Sequence, residues 1–168
     1  PNTGYFAGGG PAPGNSSNVQ RIDYANDTAI MSQRGNLAEI NIYGNGLGSP
    51  THGYVCGGEG TSPSSISKVQ RITYLNDTAL SVFKGNLAGP SSAYDATGTD
   101  NFGYVAGPGP NIDKIVYAND TAAALEKVTL VELGFDIAAA GNQNFGYYAG
   151  GYLQKTAVNR LDYANDTV

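Results

Sequence analysis

The 168-residue chain has no tryptophan and only one cysteine, one histidine and one methionine. A single cysteine excludes an intrachain disulfide, so cysteine usage does not reveal the redox compartment. His52 and Cys56 lie four residues apart, but a protein metal site normally needs three or four ligands. A metal or Cys–His nucleophile site is therefore poorly supported. Cys56 is better explained as a small buried residue, because the matching position in the other repeats described below is alanine.

Charged residues are scarce as well, at 14% of the chain against roughly 25% in typical soluble domains. The net charge of −5 argues against a nucleic-acid partner, since proteins that bind phosphate backbones present a basic face. No apolar run approaches the roughly 20 residues that a membrane-spanning helix needs. We therefore expect no nucleic-acid partner and no membrane insertion.

Glycine and tyrosine are abundant, with 24 and 12 residues, and two short phrases that contain them recur four times each. The first phrase is a basic residue, Ile or Leu, any residue, Tyr, any residue and Asn-Asp-Thr. Its four copies end at Thr28, Thr78, Thr121 and Thr167. The second phrase is Gly-Tyr, an apolar pair and Gly, with its tyrosine at Tyr5, Tyr54, Tyr104 and Tyr147. Interleaved phrases of this kind identify a repeat protein.

The spacing between the phrases is constant in one direction only. From the Asn of one copy to the next Gly-Tyr tyrosine, 26 to 54, 76 to 104 and 119 to 147 are each 28 positions. In the other direction, 5 to 26, 54 to 76, 104 to 119 and 147 to 165 are 21, 22, 15 and 18. The length variation therefore falls in one loop per repeat, a common place for a binding surface. These variable loops are 8–18, 57–68, 107–112 and 150–157.

Each repeat is predicted to contain four short strands. The Gly-Tyr phrase forms the first strand, and the alternation from Val19 to Tyr24 predicts the second. Asn-Asp makes a turn, a third strand covers 28–34, and 34–36 makes a turn or bulge. The fourth strand is expected near 39–45, 89–97 and 132–140. Residues 121–133 have helical propensity, but the fixed spacing favours a strand there.

Four antiparallel strands in 43 to 50 residues are typical of a β-propeller blade. The apolar strand with its double glycine, the variable loop, the tyrosine strand, the polar turn and the basic-residue turn resemble the kelch repeat. The tryptophan that usually follows the tyrosine is missing, and the third double glycine is replaced by 107–108. The two repeated sequence phrases are also similar to the Gly-Tyr-Phe-Gly-Gly and Asn-Asp-Thr arrays of uncharacterised marine phage proteins. That resemblance implies a role in a tail or fibre.

The predicted fold is thus an all-β, kelch-like propeller-type array of about three and a half repeats in a single domain, 1–168. Its units are 4–52, 53–102, 103–145 and the incomplete 146–168. Closing Asn165 to Tyr5 at the standard spacing would need about one more hairpin. Because the chain also begins at Pro1 rather than Met, we expect either a mature product or part of a longer array. Open strand edges would be covered by further repeats or by a neighbouring copy, giving a homo-oligomer, a ring or a filament.

Several repeated side chains are candidates for chemistry. Asn-Asp-Thr matches the N-glycosylation pattern, as does Asn15-Ser16-Ser17, although a repeated turn is the favoured explanation of the Asn-Asp-Thr phrase. The sequon asparagines are Asn15, Asn26, Asn76, Asn119 and Asn165. The basic residues of the tyrosine strand could ring a channel, but pairing with a carboxylate such as Asp23 or Asp162, or exposure to solvent, is favoured. These basic residues are Arg21, Arg71, Lys114 and Arg160.

The tyrosines divide into two groups. Those of the Asn-Asp-Thr phrase are predicted to pack between repeats, with each hydroxyl bound to backbone; they are Tyr24, Tyr74, Tyr117 and Tyr163. The Gly-Tyr tyrosines, together with Tyr148 and Tyr152, are alternatives for stacking on sugars. Of these, Tyr148 and Tyr152 are the favoured ligand contacts.

The function expected from the sequence is non-enzymatic. No pair of carboxylates stands apart from the repeat, as a glycosidase would require, no calcium loop is present, and we expect no cofactor. The several His and Tyr ligands of copper-oxidase kelch proteins are not available. We therefore expect a structural and adhesive protein, extracellular or on a virion surface. A glycan-binding, lectin-like propeller is the first alternative, and an enzyme on a propeller scaffold is a weaker second.

Overall fold

The computed structural model of the chain describes residues 2–10, 14–61, 64–107, 109–132, 134–152 and 155–168. The protein is all-β, and of the described residues 46% lie in strands and 6% in helical turns. Its strands form four antiparallel sheets of three or four strands. Within the described ranges, no helix has the length and apolar character needed to cross a membrane.

The sheets follow one another along the chain, and we number them 1 to 4. Sheet 1 contains β1 (Thr3–Ala7), β2 (Asn18–Asp23) and β3 (Ser32–Asn36). Sheet 2 contains β4 (Asn45–Gly48), β5 (His52–Cys56), β6 (Lys68–Thr73) and β7 (Val82–Asn86). Sheet 3 contains β8 (Ala96–Gly98), β9 (Phe102–Ala106), β10 (Asn111–Val116) and β11 (Leu125–Thr129). Sheet 4 contains β12 (Ala138–Gly141), β13 (Phe145–Ala149) and β14 (Val158–Asp162).

The strands of the two recurring phrases lie where the sequence predicts them. The Gly-Tyr phrase forms β1, β5, β9 and β13, and the alternating stretch forms β2 and its equivalents. The choice of strand over helix in 121–133 is confirmed by β11, which pairs along β10. The third strand begins later than predicted, and 34–36 lies inside β3 rather than forming a turn.

The fourth strand of each repeat was predicted in the wrong place. It lies at β4, β8 and β12, several residues after the predicted starts. Each of these strands pairs with the next Gly-Tyr strand, β5, β9 or β13, across a tight hairpin. A sequence unit therefore gives three strands to one sheet and its last strand to the following sheet, so the unit boundaries are offset from the sheets.

The predicted Asn-Asp turn is confirmed as a 3₁₀ turn in three copies, Tyr24–Asn26, Tyr74–Asn76 and Tyr117–Asn119. In the first copy the Asp23 carboxylate accepts a hydrogen bond from the Ala25 amide at 3.0 Å. The Ala29 amide then donates to the Asn26 carbonyl at 3.2 Å. The turn holds the following aspartate, Asp27 or its equivalent, at a fixed position beside the end of the strand.

The hydrophobic core lies between consecutive sheets. Successive residues of a strand point to opposite faces, so Tyr54 of β5 packs toward sheet 3 while Val55 packs toward sheet 1. Three clusters result, one between each pair of neighbouring sheets. The last strands of the repeats, β4, β8 and β12, also contact one another in that order. We call the three contacts between neighbouring sheets joints 1, 2 and 3.

The variable loops connect β1 to β2, β5 to β6, β9 to β10 and β13 to β14. They therefore occupy the same end of every sheet. Positions 11–13, 62–63, 108 and 153–154 of these loops lie outside the described residues. The same therefore holds for the Pro108 that replaces the third double glycine.

Candidate functional site: the joints between sheets

The aspartate of the Asn-Asp-Thr phrase is the centre of each joint. In joint 1, Asp77 of repeat 2 is 4% exposed and faces sheet 1. One of its oxygens accepts hydrogen bonds from Tyr5 Oη at 3.0 Å and Arg21 Nη1 at 2.8 Å. The other accepts from Arg34 Nε at 2.8 Å and Nη2 at 2.6 Å. A single carboxylate thus joins three side chains of the preceding sheet.

The same arrangement recurs in joint 2. Asp120 accepts hydrogen bonds from Tyr54 Oη at 3.1 Å and Arg71 Nη1 at 2.8 Å. Lys84 Nζ lies 3.3 Å from the other oxygen. The donors are again the Gly-Tyr tyrosine, the basic residue of the second strand and the basic residue of the third strand.

Joint 3 contains the same set with looser geometry. Asp166 accepts from Tyr104 Oη at 2.7 Å and from Lys114 Nζ at 2.8 Å and 3.0 Å. Lys127 Nζ is 3.8 Å away. The expectation that these basic residues pair with a carboxylate is therefore confirmed for Arg21, Arg71 and Lys114, but the carboxylate is not Asp23 or Asp162. Their partner is the aspartate of the following repeat.

The charge of these aspartates is set by two opposing effects. Burial by itself would raise the pKa of Asp77, but hydrogen bonds from Arg34 and Tyr5 and the charge of Arg21 outweigh it and hold this pKa below its usual value. The pKa values of Asp120 and Asp166 are lowered by the same balance of burial, cations and a tyrosine hydroxyl. Each joint therefore contains an ionised carboxylate that neutralises partly buried cationic groups.

Tyrosine pairs reinforce every joint. Tyr5 stacks on Tyr74 with ring centroids 4.9 Å apart and an interplanar angle of 9°. The corresponding pairs, Tyr54–Tyr117 and Tyr104–Tyr163, are both 4.8 Å apart, at 9° and 15°. Aromatic pairs in offset stacking add about 0.5–1.5 kcal/mol beyond the area they bury. The two recurring tyrosines of the sequence are thus partners across the sheets.

The expected backbone partners for the tyrosine hydroxyls are not found in the later repeats. Tyr163 Oη lies 3.0 Å from Thr97 Oγ1, a side chain. Tyr117 Oη is buried and has no hydrogen-bond partner in the described part of the chain. Burial raises the pKa of Tyr74 to about 12, with a smaller effect from the neighbouring tyrosines. These rings therefore contribute packing and stay neutral at physiological pH.

A third contact fixes the turn that follows the third strand. In joint 1, Gln70 Oε1 accepts from the Glu39 amide at 3.2 Å. The equivalent residues in joints 2 and 3 are Asp113, which accepts from the Ala88 amide at 2.8 Å, and Asn159, which accepts from the Val131 amide at 2.8 Å. Burial raises the pKa of Asp113, and its bond to the Ala88 amide opposes that rise.

Glycine in the third strand allows the backbones to approach. The Gly35 amide donates to the Asp77 carbonyl at 2.8 Å, and the Gly85 amide donates to the Asp120 carbonyl at 2.7 Å. A β-carbon at Gly85 would overlap the Ala122 carbonyl oxygen. Val128 occupies this position in repeat 3, and no matching bond to Asp166 is present among the described residues. The third joint, which lacks this glycine, is also the one with the looser side-chain geometry.

Four of the five N-glycosylation sequons lie at the Asn-Asp turns of the repeats. Asn26, Asn76, Asn119 and Asn165 lie at the surface, as does Asn15 in the first variable loop. In the second and third copies of the phrase, the aspartate between Asn and Thr (Asp77 or Asp120) is buried in a joint. The phrase therefore has a structural explanation that is independent of glycosylation, and the asparagines are accessible to it.

The two favoured ligand contacts have opposite environments. Tyr148 is 0% exposed, and its hydroxyl donates to the Tyr104 carbonyl at 2.9 Å. Because its ring is enclosed in joint 3, Tyr148 offers no surface to a ligand, and the prediction for this residue is corrected. Tyr152 is 63% exposed beside the fourth variable loop. Among the Gly-Tyr tyrosines, Tyr54 and Tyr104 are buried in joints, whereas Tyr147 is exposed.

Cys56 is a small core residue, as predicted, and is fully buried between sheets 2 and 3. Burial raises the pKa of its thiol, so it is a poor nucleophile. His52 contacts the Thr51 hydroxyl at 2.8 Å. Within the described ranges, no three His, Cys, Asp or Glu side chains converge in a way that could hold a metal ion.

The joints include residues whose role the local sequence pattern does not reveal. The sequence pattern predicts only a turn former at the aspartate and a turn or bulge at 34–36, the position that Arg34, Lys84 and Lys127 share in the three repeats. The available signal was that one acid, two bases and one tyrosine recur with the same period. A turn alone would tolerate Asn, Ser or Gly in place of the acid.

Comparison with known proteins gives no family assignment: no protein-family model matches the chain, and no curated protein matches it.

Proposed function

We propose that this chain is a non-enzymatic structural and adhesive repeat protein, located outside the cell or on a virion surface as a tail, fibre or filament component. The observation that carries the proposal is the use of the repeated titratable side chains. The aspartates, lysines, arginines and tyrosines of joints 1 to 3 bind one another between sheets. Because these side chains bind one another, their role is to hold successive sheets in a fixed orientation.

A propeller-type, kelch-like arrangement of the units is part of the same proposal. Its support is the succession of antiparallel sheets of three or four strands packed face against face, together with the contacts from β4 to β8 and from β8 to β12. In a propeller, the blades surround a central channel, and one edge strand of each blade lies beside that of its neighbours. The corresponding strands here are β4, β8 and β12, which end the sequence repeats but begin sheets 2, 3 and 4. The contacts of β8 with β4 and with β12 support this arrangement.

The adhesive part of the proposal rests on the variable loops. All four lie at one end of the sheets, while the joints hold the rest of each unit at constant length. Loops on a rigid scaffold can change sequence without loss of the fold, which is how repeat proteins form binding surfaces.

The experiment is immunogold electron microscopy of the native material, with an antibody raised against this chain. Label on virion tails, fibres or extracellular filaments is the expected result. Label confined to the cell interior would overturn the proposal. Free Asn26 and its equivalents in a mass spectrum of the native protein would show that the scaffold is built without N-glycans, whereas hexose-containing adducts there would add a glycan coat.

Glycan binding is the alternative function, and exposed Tyr152 is the observation that favours it. A groove of about 600 Å³ also lies beside the first variable loop, lined by Gly8–Gly10, Gly14–Asn18 and Ile40. The described residues that line it include no aromatic side chain for stacking on a sugar. A glycan array probed with the wild-type chain and with Tyr152→Ala tests this alternative. Binding that the substitution abolishes would support it, and an array without hits would exclude it.

A further inference from the structure

The first sheet presents an uncovered face that has the composition of a joint. Phe6 is 59% exposed, whereas the equivalent Val55 and Val105 are buried in joints 1 and 2. Tyr24 is 60% exposed, whereas the equivalent Tyr74 stacks on Tyr5. We call this surface the head face.

Asp27 gives the head face its charge. It is the aspartate of the first Asn-Asp-Thr phrase, it is exposed, and no hydrogen bond or ion pair involves it in the described part of the chain. The equivalent Asp77 and Asp120 are buried beneath two cations and a tyrosine each. The head face is therefore the acceptor half of a joint without its donors.

The last sheet presents two of the three donors of a joint, the Gly-Tyr tyrosine and the basic residue of the second strand. Tyr147 and Arg160 occupy the positions of Tyr54 and Arg71, but both are exposed. Val158 is 67% exposed, while the equivalent Val69 is buried in joint 2. Arg160 stacks over Phe145 at 4.8 Å and forms no ion pair in the described ranges. We call this surface the tail face.

We propose that the tail face of one copy of this chain binds the head face of a second copy, forming a fourth joint between molecules. Asp27 of one copy accepts hydrogen bonds from Tyr147 and Arg160 of the other, and Tyr24 stacks on Tyr147. This inference rests on the proposed scaffold function and names its partner, a second copy of the same chain.

Two observations select a second copy as the occupant. The charges are complementary: among the described residues, one face holds a carboxylate without a partner and the other a guanidinium without an ion pair. The apolar surface around them continues an interface that the protein already builds three times in the same register. The two faces differ, so the contact is head-to-tail, and a contact of this kind either closes into a ring or continues as a filament.

The test uses two charge reversals in the whole 168-residue chain, studied by analytical ultracentrifugation over a wide range of concentration. Asp27→Arg places a cation against Arg160, and Arg160→Asp places an anion against Asp27. Each variant alone should associate at least ~30-fold more weakly than the wild type, since disrupting a buried charge pair in an interface costs that much or more. Asp100→Arg and Lys155→Asp, at exposed positions outside both faces, are the matched controls and should associate like the wild type.

The decisive sample is the mixture of the two variants. The arginine introduced at position 27 of one variant then meets the aspartate introduced at position 160 of the other. The unchanged Arg160 of the first meets the unchanged Asp27 of the second, so association should return in alternating order. Circular dichroism of each variant checks that it is folded. A wild type that stays monomeric at all concentrations would overturn the inference. So would single variants that assemble like the wild type, or a mixture that does not recover.

These results are independent of the immunogold test. Label on fibres together with a monomeric purified chain would leave the scaffold function in place and refute the second copy as partner. Self-association of the purified chain together with label inside the cell would refute the proposed function outside the cell and leave the second copy in place as the partner.

Discussion

Removing the charge of one joint aspartate should destabilise the fold, while the same substitution at the head face should not. Asp77→Asn leaves Arg21 and Arg34 facing a neutral amide in joint 1. Breaking a buried pair by removing one partner costs about 3–5 kcal/mol. Here the two arginine side chains are 31% and 26% exposed, so water can solvate them after the loss. We therefore expect a decrease of about 2–3 kcal/mol in the free energy of unfolding.

The matched control is Asp27→Asn, which changes the same residue of the same phrase at a position where the described residues supply no donor. Its effect should stay within about 0.5 kcal/mol. Urea denaturation at low protein concentration, where copies are dissociated, measures both variants through the midpoint and the slope. Equal losses for the two substitutions would mean that the aspartate acts through its own turn. No loss for Asp77→Asn would mean that the joint contributes nothing.

The lowered pKa of Asp77 also predicts that the free energy of unfolding depends on pH, and the Asp77→Asn variant tests this. Because the pKa of Asp77 is lower in the folded chain than in the unfolded chain, its stabilisation is complete above the unfolded value of about 3.9. It is lost as pH falls through the folded value. Asp120 and Asp166 act in the same direction. Acidification below about pH 4 should therefore destabilise the wild type steeply, and Asp77→Asn should make that decline shallower. An unchanged slope would contradict this assignment.

Two further substitutions test the packing of the joints. Gly85→Ala should cost about 1–3 kcal/mol, because its methyl group would overlap the Ala122 carbonyl, whereas Gly46→Ala, with no neighbour within 4 Å, should be neutral or stabilising by up to about 1 kcal/mol. Thermal denaturation followed by circular dichroism compares them, and equal effects would refute the close approach. Cys56→Ser should cost about 1–3 kcal/mol, because it buries a hydroxyl in an apolar cluster, and Cys56→Ala should cost less. A thiol reagent should modify Cys56 only when the chain unfolds, and fast modification of the native protein would contradict its burial.

The repeat could be recognised without the structure because each unit must form the same backbone in the same register. The constant spacing of 28 positions decided the choice of strand for 121–133 against its helical propensity, and β11 confirms that choice. The Asn-Asp turn was also predictable, since these side chains bind their own backbone locally. Such features depend on residues close together in the chain.

The sheet that the fourth strand of each repeat joins could not be predicted in this way. The strands β4, β8 and β12 are short and rich in glycine and alanine, so they have no alternation to mark them. Each lies between two sheets that could take it. Pairing with the following Gly-Tyr strand is chosen because a tight hairpin closes that contact at little entropic cost. Tyr148 is a different case: it occupies the apolar position of the Gly-Tyr phrase that Val55 and Val105 fill, and the packing of sheet 4 on sheet 3 encloses it in the same way.

The period, the strand-rich character, the turns and the position of the variable loops could all be predicted from the sequence, because they follow from local patterns repeated four times. The tertiary structure decided the partners of Asp77, Asp120 and Asp166. The donors to Asp77 lie 43 to 72 positions away in the chain, so no local rule connects them. Stacking one sheet on the next brings them together. The same stacking distinguishes the buried aspartates from Asp27, because no sheet of the described residues packs on that side of the first sheet to supply the donors.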